Sequence, residues 1–135
     1  MTPTPLALDH VALAVASLAE AIPLHETLSG GTATPVETLP EQGVRVAFLG
    51  SLELLEPLSP DTPVGRFLSK HGPGLHHVAY RTADLEAELA RMVAQGFNPI
   101  DAKPRIGARG HRVAFLHPSG TGRVLIELVE AVSRG

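Results

Sequence analysis

Leu8-Asp9-His10-Val11-Ala12 near the start of the chain returns, 67 residues later, as Leu75-His76-His77-Val78-Ala79. Working outward from that phrase, Ala16 and Leu18 return at the same offset as Ala83 and Leu85. Further on, Gly43, Arg45, Val46, Ala47, Phe48 and Leu49 return as Gly110, Arg112, Val113, Ala114, Phe115 and Leu116. The offset breaks once, by seven residues within 117–123, after which Leu52-Glu53-Leu54-Leu55-Glu56 lines up with Ile126-Glu127-Leu128-Val129-Glu130. One offset with one interruption describes two copies of a single module.

Each copy reads as strand, helix, strand, strand, strand. Leu8 to Ala14 and Leu75 to Tyr80 are apolar runs of strand length. In the second copy Thr82 is placed to cap a helix whose Leu85, Leu89 and Met92 form one apolar stripe, ending at Gly96. In the first, a helix begins at Ser17 and carries Pro23 inside it, which predicts a kink or an early stop. Residues 43–57 supply two strands with a turn at Gly50-Ser51, and 110–130 supply their counterparts around a longer turn through Pro118, Gly120 and Gly122. Residues 97–109 predict a short strand and then a loop. Between the copies, Pro60, Pro63 and Pro73 surround Val64 to Leu68, a linker with one or two helical turns. The expected fold is α+β: two tandem βαβββ modules forming one curved sheet of about eight strands with helices outside. A single domain over 1–135 follows, with modules at about 7–58 and 74–131 and a linker at 59–73.

Composition narrows the function. The 135 residues suit one domain. Eleven basic residues against 14 acidic ones give a formal charge of −3, a field that repels phosphodiester and argues against nucleic acid. The absence of cysteine excludes disulfides, thiolate metal sites and cysteine nucleophiles, so any metal must sit on nitrogen and oxygen. Neither a secretion signal nor a run of 18 apolar residues is visible, and a cytoplasmic location is the expectation.

The ionisable residues that the repeat embeds within apolar strands are His10, Glu53, His77 and Glu127. A pseudo-twofold relation between the modules would bring one His and one Glu from each to a common point. A His-in-strand is more often a hydrogen-bonded structural residue than a ligand. Carboxylates lodged in Leu52-Glu53-Leu54-Leu55 and Ile126-Glu127-Leu128-Val129 are costly unless paired or ligated, however, which favours a His₂Glu₂ centre. Such a donor set suits Zn²⁺, Co²⁺, Mn²⁺, Ni²⁺ or Mg²⁺ and leaves positions open for catalysis. His76 lies on the opposite face of its strand, His25, His71 and His111 read as exposed, and Glu56 and Glu130 read as solvated strand ends. Glu41, in Leu39-Pro40-Glu41-Gln42-Gly43, reads from spacing alone as an exposed turn residue. Lys103, Arg105 and Arg109 sit in a glycine-containing loop and read either as anion-binding donors or as solvated cations.

With these residues in view, the chain resembles the methylmalonyl-CoA epimerase family of the vicinal oxygen chelate superfamily over about residues 7–131. The resemblance is carried by Pro40-Glu41-Gln42-Gly43-Val44, Leu54-Leu55-Glu56-Pro57-Leu58, Gly74-Leu75-His76-His77-Val78-Ala79, Pro104-Arg105-Ile106-Gly107-Ala108 and the strands holding His10 and Glu127. It implies His10, His77 and Glu127 as ligands of a divalent ion, with Glu53 at a fourth position. It also implies Glu41 as a catalytic base with Glu127 as its counterpart, a CoA thioester as substrate, epimerisation at C2, and no organic cofactor. Relatives of this kind are often homodimers. The sequence departs from the family at Pro23-Leu24-His25, where many relatives carry an aromatic pair, and at Ser119-Gly120-Thr121-Gly122-Arg123, which lacks a common lysine. The alternatives are a glyoxalase I-like isomerase and a metal-free small-molecule binder of the same fold.

Overall fold

The computed structural model describes residues 5–101 and 103–131. These hold eight strands, β1 (Ala7–Ala14), β2 (Glu37–Leu39), β3 (Val44–Leu49), β4 (Leu52–Pro57), β5 (Gly74–Arg81), β6 (Arg105–Ile106), β7 (Arg112–Leu116) and β8 (Leu125–Glu130). Three helices join them: α1 (Leu18–Ser29), α2 (Pro63–His71) and α3 (Leu85–Ala94). Two compact units contain these elements, one of residues 10–76 and the other of residues 77–131 together with those up to 9. The strand, helix, three-strand order expected from the repeat holds in both copies.

In the first unit the strand order is β2-β3-β4-β1. β1 pairs in parallel with β4, Ala12 opposite Glu53 and Ala14 opposite Leu55, while β3 runs antiparallel to β4 through a two-residue turn. That turn has Gly50 at φ 59°, the positive value that a type II′ turn requires of its first central residue. α1 packs on β3 and β4, burying Leu18 and Ala21 against Leu49 and Leu54. Leu54 is fully buried, a contribution of about 1.5–3 kcal/mol by side-chain transfer.

Of the two outcomes expected of Pro23, the early stop does not occur: α1 continues through it to Ser29. Proline removes one rung, the bond that its N–H would have made to the Ala19 carbonyl. Both ends are fastened: the Ser17 hydroxyl accepts from Glu20 N at 3.3 Å, and Gly30, at φ 74°, donates to the Glu26 carbonyl at 2.8 Å. The linker helix α2 also exceeds two turns, with Thr62 as cap and Pro63 in its first turn. Gly65 is needed there, since a Cβ would stand 2.3 Å from the Ser59 carbonyl oxygen.

The second unit repeats the pattern as β5-β8-β7-β6. β5 pairs in parallel with β8, Ala79 opposite Glu127, and β7 runs antiparallel to β8. α3 buries Leu85 against Ala114 and Leu128, with Leu89 and Met92 beside them as the apolar stripe predicts. Its cap is Asp84 and not Thr82: the Asp84 carboxylate accepts from Ala87 N at 3.1 Å, and Thr82 instead accepts from Asp84 N. Glu88 is buried on this helix and is satisfied by Arg91, at 2.7 Å. No described helix is long and apolar enough to cross a membrane.

Candidate functional site

Each unit contains one buried imidazole facing one buried carboxylate. His10, on β1, has Nε2 3.2 Å from Oε1 of Glu53, on β4. His77, on β5, has Nε2 3.3 Å from Oε1 of Glu127, on β8. All four are about 95% removed from solvent. The pairs arise the same way: parallel register sets the His strand beside the Glu strand, and alternation turns both side chains to one face. Ala12 and Ala79, the next residues on that face, are small and fully buried.

A phenylalanine supports each imidazole. Phe48 meets His10 edge to face at 5.6 Å, and Phe115 meets His77 in the same geometry at 5.4 Å. The two phenylalanines are cross-strand neighbours of Glu53 and Glu127, so one ring packs against each ring-and-carboxylate pair. Neither ring was singled out for a role from sequence, although both recur at the offset that exposed the histidines. The edge-to-face contact limits rotation of each imidazole ring.

The donor chemistry fits a divalent ion. A charge-assisted hydrogen bond between imidazolium and carboxylate is typically about 2.7–2.9 Å. The observed 3.2 and 3.3 Å are longer, and an imidazole nitrogen beside a carboxylate oxygen is a donor set of the kind that divalent ions take.

The remaining sequence candidates are spread more widely. Glu41 stands exposed in the turn between β2 and β3, as its spacing suggests. Lys103 is exposed; Arg105, half-buried on β6, has Nε 3.2 Å from Asp101 Oδ2. Arg109 is exposed in a short 3₁₀ turn with φ 62°, a left-handed conformation unusual for a side chain other than glycine. His71 is exposed and stacks on Phe67, which His76 meets from another side at 5.0 Å. His25 and His111 are half-buried rather than exposed. A cavity of about 610 Å³ lies on the α3 side of the second unit's strands, lined by residues such as Tyr80, Met92, Phe97 and Leu128, and includes none of the buried His or Glu residues.

Glu56 and Glu130, expected to be solvated, are half-buried and engaged. Glu56 accepts from Leu18 N at 2.7 Å and Glu130 from Leu85 N at 2.8 Å, so each ties the last strand of its module to the first residue of that module's helix. Arg45 and Arg112 hold the other carboxylate oxygen of each. Arg112 also pairs with Glu86, which holds that carboxyl below the usual range and raises the guanidinium's own pKa.

Known proteins share this architecture. The model of the Glyoxalase/Bleomycin resistance protein/Dioxygenase superfamily matches residues 9–115. An uncharacterised protein of Bacillus subtilis, YqjC, is 44% identical over 91% of both chains. Human mitochondrial methylmalonyl-CoA epimerase is 35% identical over 92% of this chain and 73% of its own. The crystallised methylmalonyl-CoA epimerase of Streptomyces coelicolor, in a variant complexed with 2-nitronate-propionyl-CoA, superposes with a TM-score of 0.89 at 36% identity, covering 93% of this chain and 97% of that one. By this measure the chain belongs to the Glyoxalase/Bleomycin resistance protein/Dioxygenase superfamily and, within it, to the methylmalonyl-CoA epimerase family.

Proposed function

We propose that the protein is an enzyme that interconverts the 2R and 2S forms of methylmalonyl-CoA, and that the whole chain acts as one domain around one metal centre. The observation that carries this reading is the pair of matching buried His–Glu sets, in a chain that follows its epimerase relatives over more than nine-tenths of its length. In this reading His10, Glu53, His77 and Glu127 hold one divalent ion, imidazole and carboxylate being donors that such ions take. When bound, the ion supplies Lewis acidity toward the oxygens flanking C2 of the substrate.

The rest of the work falls to side chains. The C2 proton lies between a thioester and a carboxylate, acidic for a carbon but far from the range of an unaided carboxylate base. Stabilisation of the negative charge that develops on the thioester oxygen therefore has to accompany proton removal. Glu41 removes or returns the proton on one face and Glu127 serves the other, inversion requiring two groups on opposite sides. Exposure of Glu41 in its turn leaves it accessible to a substrate arriving from solvent. Phe48 and Phe115 keep the centre dry, which strengthens each electrostatic contact within it. Lys103, Arg105 and Arg109 meet the substrate carboxylate or the CoA phosphates.

The test is a stereochemical assay with enantiopure methylmalonyl-CoA and metal-reconstituted protein, alongside the hemithioacetal of glutathione and methylglyoxal. Racemisation of the first with no turnover of the second is expected. The reverse would establish a glyoxalase I-like isomerase, and tight binding without turnover of either would establish a binding protein.

A further inference from the structure

The carboxylate three residues beyond each buried glutamate performs the same double task in both units. Glu56 accepts from Leu18 N at Oε2, at 2.7 Å, and from the Arg45 guanidinium at Oε1, at 2.5 Å. Glu130 accepts from Leu85 N at Oε2, at 2.8 Å, and from Arg112 at Oε1, at 3.1 Å. Each arginine sits directly opposite its glutamate across an antiparallel pair. Alternation sends Glu53 and Glu56 to opposite faces of β4, and Glu127 and Glu130 to opposite faces of β8. One face of each strand thus carries a metal-donor carboxylate and the other a bolt to a helix.

Connectivity makes the bolt consequential. β1 bears His10 and runs through residues 15–17 into α1, so Leu18 N marks the point where the His strand has turned into its helix. The parallel ladder ends one step earlier, with Val15 N on the Leu55 carbonyl at 2.8 Å and, in the other unit, Thr82 N on the Val129 carbonyl at 2.8 Å. Glu56 and Glu130 add the next bond beyond each ladder. They close a ring that runs from the His strand through the turn to the helix start, and back through the Glu strand. A first-turn N–H of a helix has no intrahelical acceptor, and a carboxylate there is favoured by both the open donor and the helix dipole.

We infer that Glu56 and Glu130 are positioning residues, which lock β1 to β4 and β5 to β8 and so hold each His–Glu pair at the spacing the ion requires. This rests on the metal reading above. The ladders they terminate are only four and five pairs long, and a slide of about an ångström along either would part donor atoms now 3.2 and 3.3 Å from each other.

The experiment is titration of Co²⁺ into chelator-stripped protein, followed by calorimetry and by visible absorption, with thermal unfolding measured on the same samples. Four proteins are compared: wild type, Glu130→Ala, Glu130→Gln and Asp84→Ala. Asp84→Ala loses the α3 cap and should unfold at lower temperature while keeping wild-type cobalt affinity. Glu130→Ala should bind cobalt ~10-fold more weakly or worse, the usual cost of losing an outer-shell support. Glu130→Gln, which keeps an acceptor for Leu85 N, should recover most of the affinity. Glu56→Ala repeats the test in the other unit should Glu130→Ala not fold. Wild-type affinity in the alanine variants overturns the inference, as does a loss in Asp84→Ala equal to theirs, which would reduce the effect to stability. Failure of the wild type to bind cobalt would overturn the metal centre itself, and this inference with it.

Discussion

Metal binding should appear as stability, by an amount that can be worked out in advance. A ligand that binds only the folded chain at 100 times its dissociation constant adds about 2.7 kcal/mol. Unfolding entropy near the midpoint is about 2.1 cal/mol/K per residue, or roughly 0.28 kcal/mol/K for a chain of 135 residues. Co²⁺ at that excess should therefore raise the unfolding temperature of chelator-stripped protein by about 10 °C. His77→Ala removes one donor and the imidazole that faces Glu127 at 3.3 Å inside a site about 95% closed to water. In that variant the stripped protein should itself melt lower, since breaking a buried pair costs about 3–5 kcal/mol at most. Its cobalt-induced shift should shrink to a degree or two. Differential scanning calorimetry at fixed protein concentration, with and without cobalt, reads both quantities. A wild type that gains nothing from the ion, or a His77→Ala protein that still gains about 10 °C, would refute the reasoning.

Glu41→Gln should lower turnover by about 10²- to 10⁴-fold with cobalt affinity unchanged, as expected for a lost base outside the donor set, and steady-state kinetics beside a metal titration checks it. Gly65→Ala should destabilise the chain by about 1–3 kcal/mol in urea unfolding, because its Cβ would strike backbone of residues 59 and 60 and not a yielding side chain. Glu86, whose carboxyl Arg112 holds below its ordinary range, stabilises the fold when ionised. The contribution is therefore present above the usual carboxylate range and lost as the pH falls through the lowered value. Unfolding curves of wild type and Glu86→Gln should differ at neutral pH and converge in acid.

The strands and the four buried His and Glu residues were legible because the same constraints act twice. A period-two apolar pattern carrying His and Glu at matching positions is hard to produce unless both copies bury the same face. The helix ends were less legible. Thr82 and Asp84 are both good caps two residues apart, and the choice between them depends on where Leu85 must point to reach Ala114 and Leu128. The early stop that Pro23 suggests does not occur, because the caps at Ser17 and Gly30 offset its local penalty. Glu56 and Glu130 look like solvent-facing strand ends in sequence, since their partners are backbone N–H groups 38 and 45 residues away. Their recurrence in the repeat, together with Arg45 and Arg112, was the available signal.

Deuterium exchange at C2 bears most directly on the central claim. Enantiopure methylmalonyl-CoA incubated in D₂O with the cobalt-loaded protein should gain one deuterium at C2 as its configuration scrambles, with no other product formed and with exchange largely lost in Glu41→Gln. Full metal occupancy with the C2 proton retained and the configuration unchanged would contradict the account.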